Sequence, residues 1–109
     1  MRILITNDDG VGAPALQALV EVFAPWAEVW VVVPNEERST SGHALTLRRP
    51  LYLRQMVVPE MDGKVRKFYS LDGLPADCTT MAIKYLMRDT PPSVVISGIN
   101  RGGNLGQDI

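Results

Sequence analysis

One cysteine, one histidine and no long apolar run are the most restrictive features of this 109-residue chain. A lone Cys78 forms no intrachain disulfide, so nothing here depends on an oxidising compartment. With His43 as the single imidazole, the nitrogen and sulfur ligands of a zinc site are missing as well. No apolar stretch reaches the length needed to span a bilayer. Met1-Arg2-Ile3-Leu4-Ile5 turns polar at Thr6, too early for the apolar core of a signal peptide. These absences predict a soluble, cytoplasmic protein that makes no use of a membrane. Neither sign of charge is in excess: 11 Lys and Arg stand against 12 Asp and Glu, for a net charge of -1. That excludes a general pull on polymeric nucleic acid or an anionic membrane surface, so any anion must be held by local geometry. A chain of this size makes one domain, 1–109, and buries only about 60–65% of its unfolded surface.

What is present is strand-like sequence broken by sharp punctuation. Residues 2–6 are a short apolar run that stops at Asn7-Asp8-Asp9-Gly10, a buried strand followed by a turn. Pro14 suits a first helical turn, and Leu16, Leu19, Val20 and Phe23 then recur at helical spacing until Pro25. Val29 to Val33 is β-branched and aromatic throughout, as expected of a strand covered on both faces, and Pro34 closes it. Strand, helix and strand in that order predict parallel pairing through a right-handed crossover. Residues 43–53 alternate loosely around Leu45, Leu47, Leu51 and Leu53. With 64–71 as a second strand and Met61-Asp62-Gly63-Lys64 as the turn, they predict an antiparallel excursion from the parallel core. Residues 75–88 predict a second helix, with Cys78, Met81, Ala82, Tyr85 and Leu86 on its apolar face. After Pro91-Pro92, Val94-Val95-Ile96 predicts a third buried strand. The sequence ends soon afterwards with no helix to cover that strand, and reads as cut short.

Three polar clusters follow the three apolar strands: Asn7 to Gly10, Arg38 to His43, and Ser97 to Asn104. Open α/β sheets bind ligands beyond the carboxyl ends of their parallel strands, so clusters distant in sequence can share one crevice. Asp8 and Asp9 repel each other unless a cation neutralises them, although an Asp-Asp-Gly is also ordinary turn sequence. The Ser39 hydroxyl can ligate a metal or donate to phosphate, and Thr40, Ser41 and Gly42 can supply backbone N–H groups to a phosphate. A plain solvated loop fits the same residues. His43 could act as a general acid, but a lone loop histidine is more often a surface residue. The Asn100 amide oxygen is a further hard ligand, and Gly98, Gly102, Gly103 and Gly106 permit close backbone approach. Cys78, on an apolar helical stripe, is core rather than nucleophile.

In order and in spacing these segments resemble the survival protein SurE family: residues 1–11, Pro34 to Ser39, Ser41-Gly42-His43, Leu45-Thr46-Leu47, Pro75-Ala76-Asp77-Cys78, Val95 to Asn100, and Gly103-Asn104-Leu105-Gly106. The resemblance covers the chain from Met1 to Ile109. Gly12, Ala15 and Leu74 depart from the residues usual in that family, and Leu74 removes a hydroxyl from the phosphate side. Combined with the element pattern, it implies a Rossmann-like three-layer α/β/α fold with a mainly parallel sheet and a β-hairpin excursion. It implies a 5′/3′-nucleotidase and acid phosphatase holding one Mg²⁺ or Mn²⁺ per subunit through Asp8, Asp9, Ser39 and Asn100. Family members continue well beyond this length, into a further phosphate-contacting stretch and an arm that builds a homodimer or tetramer.

The expected reaction is hydrolysis of a nucleoside monophosphate to nucleoside and phosphate. Asp8 and Asp9 are the catalytic residues, with metal-activated water as the nucleophile or, in a variant of the scheme, Asp8 itself. Asn7, Thr40, Ser41, Gly42, Gly102, Gly103 and Asn104 are the expected phosphate or substrate contacts. Two other readings stand beside it. One is a truncated metal-binding fragment without activity. The other is a receiver-like phosphoacceptor module, which would need an acceptor aspartate where the strands here end in Pro34 and Ser97-Gly98.

Overall fold

The computed structural model describes residues 1–35 and 51–98. Along them run β1 (Arg2–Thr6), α1 (Pro14–Phe23), β2 (Glu28–Pro34), β3 (Leu53–Gln55), β4 (Lys67–Leu71), α2 (Pro75–Met81) and β5 (Val94–Ser97). The strands form one sheet in the order β3-β4-β2-β1-β5. β1, β2, β4 and β5 are parallel, whereas β3 runs antiparallel to β4.

Side-chain alternation along the strands divides the core into two layers. Ile3, Ile5, Val29, Val31 and Val33 face one way and pack with Leu16 and Val20 of α1. Leu4, Trp30, Val32 and Leu71 face the other way and pack with Cys78 of α2 and the Ala82 that follows it. The result is the expected three-layer α/β/α arrangement. Pro14 opens α1 and the helix stops at Phe23, with Leu19 and Phe23 packed against the same layer as Leu16 and Val20. α2 begins where the backbone N–H of Leu74 donates to the Asp77 carboxylate at 2.8 Å. At the amino edge of the sheet, Glu28 Oε2 accepts from Trp30 Nε1 at 2.7 Å and from Arg2 Nε at 2.9 Å. These donors, the indole first, hold the Glu28 carboxyl below its ordinary value. The stabilisation is therefore present above the usual carboxylate range and fades as the pH falls through the lowered value.

The structure corrects three expectations. An antiparallel pair is present, Leu53 with Leu71 and Gln55 with Tyr69, and Gly63 in the connection has φ +79°. Its first strand, however, is β3 at Leu53–Gln55 rather than 43–53, of which 43–50 lie outside the described residues. Yet β4 is no excursion: it is an interior strand of the parallel sheet, pairing Val31 with Phe68 and Val33 with Ser70. Its two buried apolar residues, Phe68 and Leu71, serve opposite layers. In the second helix, Tyr85 is 67% exposed rather than on the apolar face. The helix widens into a π-helical turn at Ala82–Leu86, with Met87 N–H donating to Ala82 O at 2.7 Å. The wider turn carries Tyr85 outward and brings Met87 fully into the core. Finally, Val94 and Val95 are 41% and 42% exposed, so β5 is not a buried strand. It lies at the sheet edge beside β1, and of its residues Ile96 packs on the α1 layer.

Two measurements test this packing. Leu4→Ala, at a fully buried position between β1's neighbours, is expected to lower stability by about 2–5 kcal/mol in urea denaturation. The Cys78 thiol is pushed up to about 12, first by burial and then by the Asp77 charge. Iodoacetamide at pH 8 is therefore expected to leave the folded chain unalkylated and to modify it after unfolding.

Candidate functional site

β1 ends at Thr6, and the next side chain builds a turn. Asn7 is buried; its Oδ1 accepts from the Gly10 N–H at 2.9 Å and its Nδ2 donates to the Gly10 carbonyl at 3.1 Å. One carboxamide thus satisfies both backbone groups of one residue and closes the loop. Gly10 sits at φ +92°, a conformation that favours glycine. Asp8 and Asp9 are carried between these clipped ends, both half-exposed. The Gly10 carbonyl also accepts from Ala13 N–H at 3.3 Å, and α1 starts at the next residue. The carboxylate pair therefore lies between a strand's carboxyl end and a helix's positive amino end.

The sheet order gives this turn its meaning. From β1 the chain moves outward to β2 and then to the edge strand β3, comes back to insert β4 between them, and crosses over to place β5 on β1's other side. The point between β1 and β5 is the topological switch, where open α/β sheets form their ligand crevice. Thr6 pairs with Ser97 there, and Gly98, buried with φ +138°, donates its N–H to Thr6 O at 3.1 Å. The segment leading to Asn100 thus departs from a point tied to the residue just before Asn7. On the opposite side, β2 outruns β1. Counting on from the Ile5–Val31 pair, Thr6 stands level with Val32, and β2 and β4 continue to Pro34 and Leu71. Asn35 N–H then donates to Leu71 O at 3.0 Å. The chain departs toward Ser39 from that same carboxyl edge.

Of the expected site residues, Asn7, Asp8 and Asp9 are placed by the structure. Ser39, Thr40, Ser41, Gly42, His43, Asn100, Gly102, Gly103 and Asn104 lie outside the described residues. Among the described residues no three His, Cys, Asp or Glu side chains come together. The donor set expected here has two carboxylates and two neutral oxygens, and the clipped Asp8–Asp9 turn fits the anionic half of it. Thr6 is one feature that sequence reasoning missed. Its hydroxyl is buried at the crevice floor with no hydrogen-bond partner among the described residues. Nothing distinguishes a polar residue ending an apolar strand from ordinary strand termination, so no sequence signal marks it. The role of Asn7 in clipping the turn was likewise not read. The Asn-x-x-Gly spacing that permits an Asx-type turn was its available signal.

Because the Asn7–Gly10 clip holds the carboxylates, its loss has a stated cost. Asn7→Ala removes two buried hydrogen bonds and is expected to lower stability by about 2 kcal/mol. Gly10→Ala forces a Cβ into the left-handed region and is expected to cost about 1–2 kcal/mol. Urea denaturation of both variants measures these losses.

Residues 3–109 match the family model described as survival protein SurE. A 5′-nucleotidase SurE of Myxococcus xanthus is 44% identical over 99% of this chain and 38% of its own length. One from Anaeromyxobacter dehalogenans is 47% identical over the whole chain and 39% of its own length. Among solved structures, the SurE protein of Aquifex aeolicus superposes with a TM-score of 0.76 at 35% identity, covering 95% of this chain and 39% of that one. The chain spans about two fifths of the length of the relatives it matches. A sheet with its switch point at a clipped Asn-Asp-Asp-Gly turn, and likeness running from end to end, place this chain in the SurE family.

Proposed function

We propose that this chain supplies the cation-binding and phosphate-facing part of a phosphomonoesterase that hydrolyses nucleoside 5′-monophosphates to nucleoside and phosphate. The observation that carries the reading is the Asp8–Asp9 pair, held by the Asn7–Gly10 clip at the switch point. Support comes from relatives named 5′-nucleotidase SurE.

In this reading Asp8 and Asp9 hold one Mg²⁺ or Mn²⁺, with the Ser39 hydroxyl and the Asn100 amide oxygen completing the protein's ligand set. All-oxygen ligation of that kind favours hard cations. When bound, such an ion polarises a phosphoryl oxygen and lowers the pKa of water. The chain's own groups position the substrate. Segments 40–42 and 101–104 offer donors to the phosphate oxygens, and the amino end of α1 adds a favourable potential for the anion. The oxygen of water forms the new bond to phosphorus in line with the ester oxygen. The P–O ester bond breaks, and the departing nucleoside oxygen takes up a proton. The clip contributes by preorganisation: it fixes the backbone turn that carries both carboxylates before any ligand arrives.

Phosphate release from 5′-AMP, in Mn²⁺ or in EDTA, tests this directly. Release is expected to require the metal and to fall to background in Asp8→Asn and Asp9→Asn, with circular dichroism unchanged. Near wild-type rates in those variants would sink the assignment. A folded wild-type chain that binds Mn²⁺ without releasing phosphate would favour the reading as a metal-binding fragment.

A further inference from the structure

The same sheet edge that carries Asp8 and Asp9 holds a second hollow, for which the reaction has so far given no use. It is a cavity of about 310 Å³ lined by Asn35, Tyr52, Leu53, Arg54, Ser70 and Asp72. Its members come from three chain segments locked together by the backbone. Asn35 N–H donates to Leu71 O at 3.0 Å, and Asp72 N–H donates to Tyr52 O at 2.9 Å. Arg54 and Ser70 are direct cross-strand partners, so they share one face of the sheet. Phe68 and Val33 pack in the α1 layer, and by alternation Ser70, Asp72 and Asn35 turn to that same side.

The position relative to the carboxylates follows from the register. β1 ends at Thr6, whereas β2 runs on to Pro34, which pairs with Leu71, so the Asp8–Asp9 turn and the ends of β2 and β4 leave the same carboxyl edge. The cavity's Asn35 and Asp72 are each one residue farther along the same edge. β4 is two strand spacings from β1, a lateral separation of about 10 Å. That is the span of a mononucleotide laid along the edge with its phosphate at the switch point.

Beside the charged Arg54 and Asp72, the lining carries uncharged groups that suit the base of such a molecule. Tyr52, 67% exposed, is the aromatic residue among the lining residues named. The Asn35 carboxamide both donates and accepts, and the Ser70 hydroxyl does the same. A π-surface beside in-plane donors and acceptors is what recognises a heterocyclic base. We propose that this cavity is the nucleobase subsite of the phosphomonoester substrate, with Tyr52 as its stacking platform and Asn35 and Ser70 reading the base edge. The proposal rests on the nucleotidase reading and goes beyond it, since it assigns what holds the part of the substrate that does not react.

The test separates the two. Adenosine, which has no phosphate, and ribose 5-phosphate, which has no base, are each titrated into the ¹⁵N-labelled 109-residue chain. Adenosine is expected to shift the amides of residues 35, 52–54 and 70–72. Ribose 5-phosphate is expected to shift those of 8–10 instead. Tyr52→Ala, at an exposed position, is expected to weaken adenosine binding about tenfold, and Tyr52→Phe to restore it. Absence of adenosine shifts at the cavity, or equal adenosine binding by wild type and Tyr52→Ala, would overturn the subsite. Phosphate release is assayed in parallel on 5′-AMP and ribose 5-phosphate. Adenosine bound at the cavity with neither ester hydrolysed would uphold the subsite while removing the phosphatase reading.

Discussion

β1 is hydrogen-bonded on both edges, to β2 and to β5, and covered on both faces by the two apolar layers. Ile3, Leu4 and Ile5 are almost wholly inaccessible, so this strand has less freedom than any surface loop of the molecule. Rigidity there is transmitted one residue onward to Asn7, whose carboxamide spans the turn to Gly10. The backbone that carries Asp8 and Asp9 is thus held at both ends, by the buried strand before it and by the Asn7–Gly10 clip across it.

The two edges of the sheet are chemically unlike. At the amino edge, Glu28 is answered at once by the Arg2 guanidinium and the Trp30 indole, and its charge is locally satisfied. At the carboxyl edge, the Asp8–Asp9 turn follows β1 at the switch point between β1 and β5, beside the longer strands β2 and β4. A fold can concentrate reactive charge at one edge only if the rest is neutral enough not to compete for the same ligands. The near-balance of acidic and basic residues is consistent with that division of labour.

Much of this architecture was legible in the residues. β1, α1 and β2 are bracketed by Asp-Gly, Pro14, Pro25 and Pro34, and their apolar spacing is unambiguous. β4 was misplaced because Lys67-Phe68-Tyr69-Ser70-Leu71 mixes charged, hydroxyl and apolar residues, and sequence carries no record of which neighbour a strand chooses. The exposed Tyr85 reflects a single wide turn, which a fixed helical period does not represent. β5 reads as buried because β-branched residues suit an edge as well as an interior. Of the candidate site, the place of Asp8 and Asp9 directly after the first parallel strand was legible, because the apolar run of β1 stops at them. The cavity of Asn35, Tyr52 and Ser70 was not, because each member is unremarkable in its own segment and the association exists only in three dimensions.

The pairing of β1 with β5 has a temporal side. Ile3 meets Val94 and Thr6 meets Ser97, so the two walls of the switch-point crevice come from opposite ends of the described chain. Contacts of such long sequence separation carry the largest loop-closure entropy and form late in a folding reaction. β1, α1 and β2 can associate within the first few dozen residues and bury most of the α1 layer without β5. The largest closure cost in the molecule therefore falls on the pairing that forms its crevice, whereas most of the α1 layer is built from neighbours in sequence.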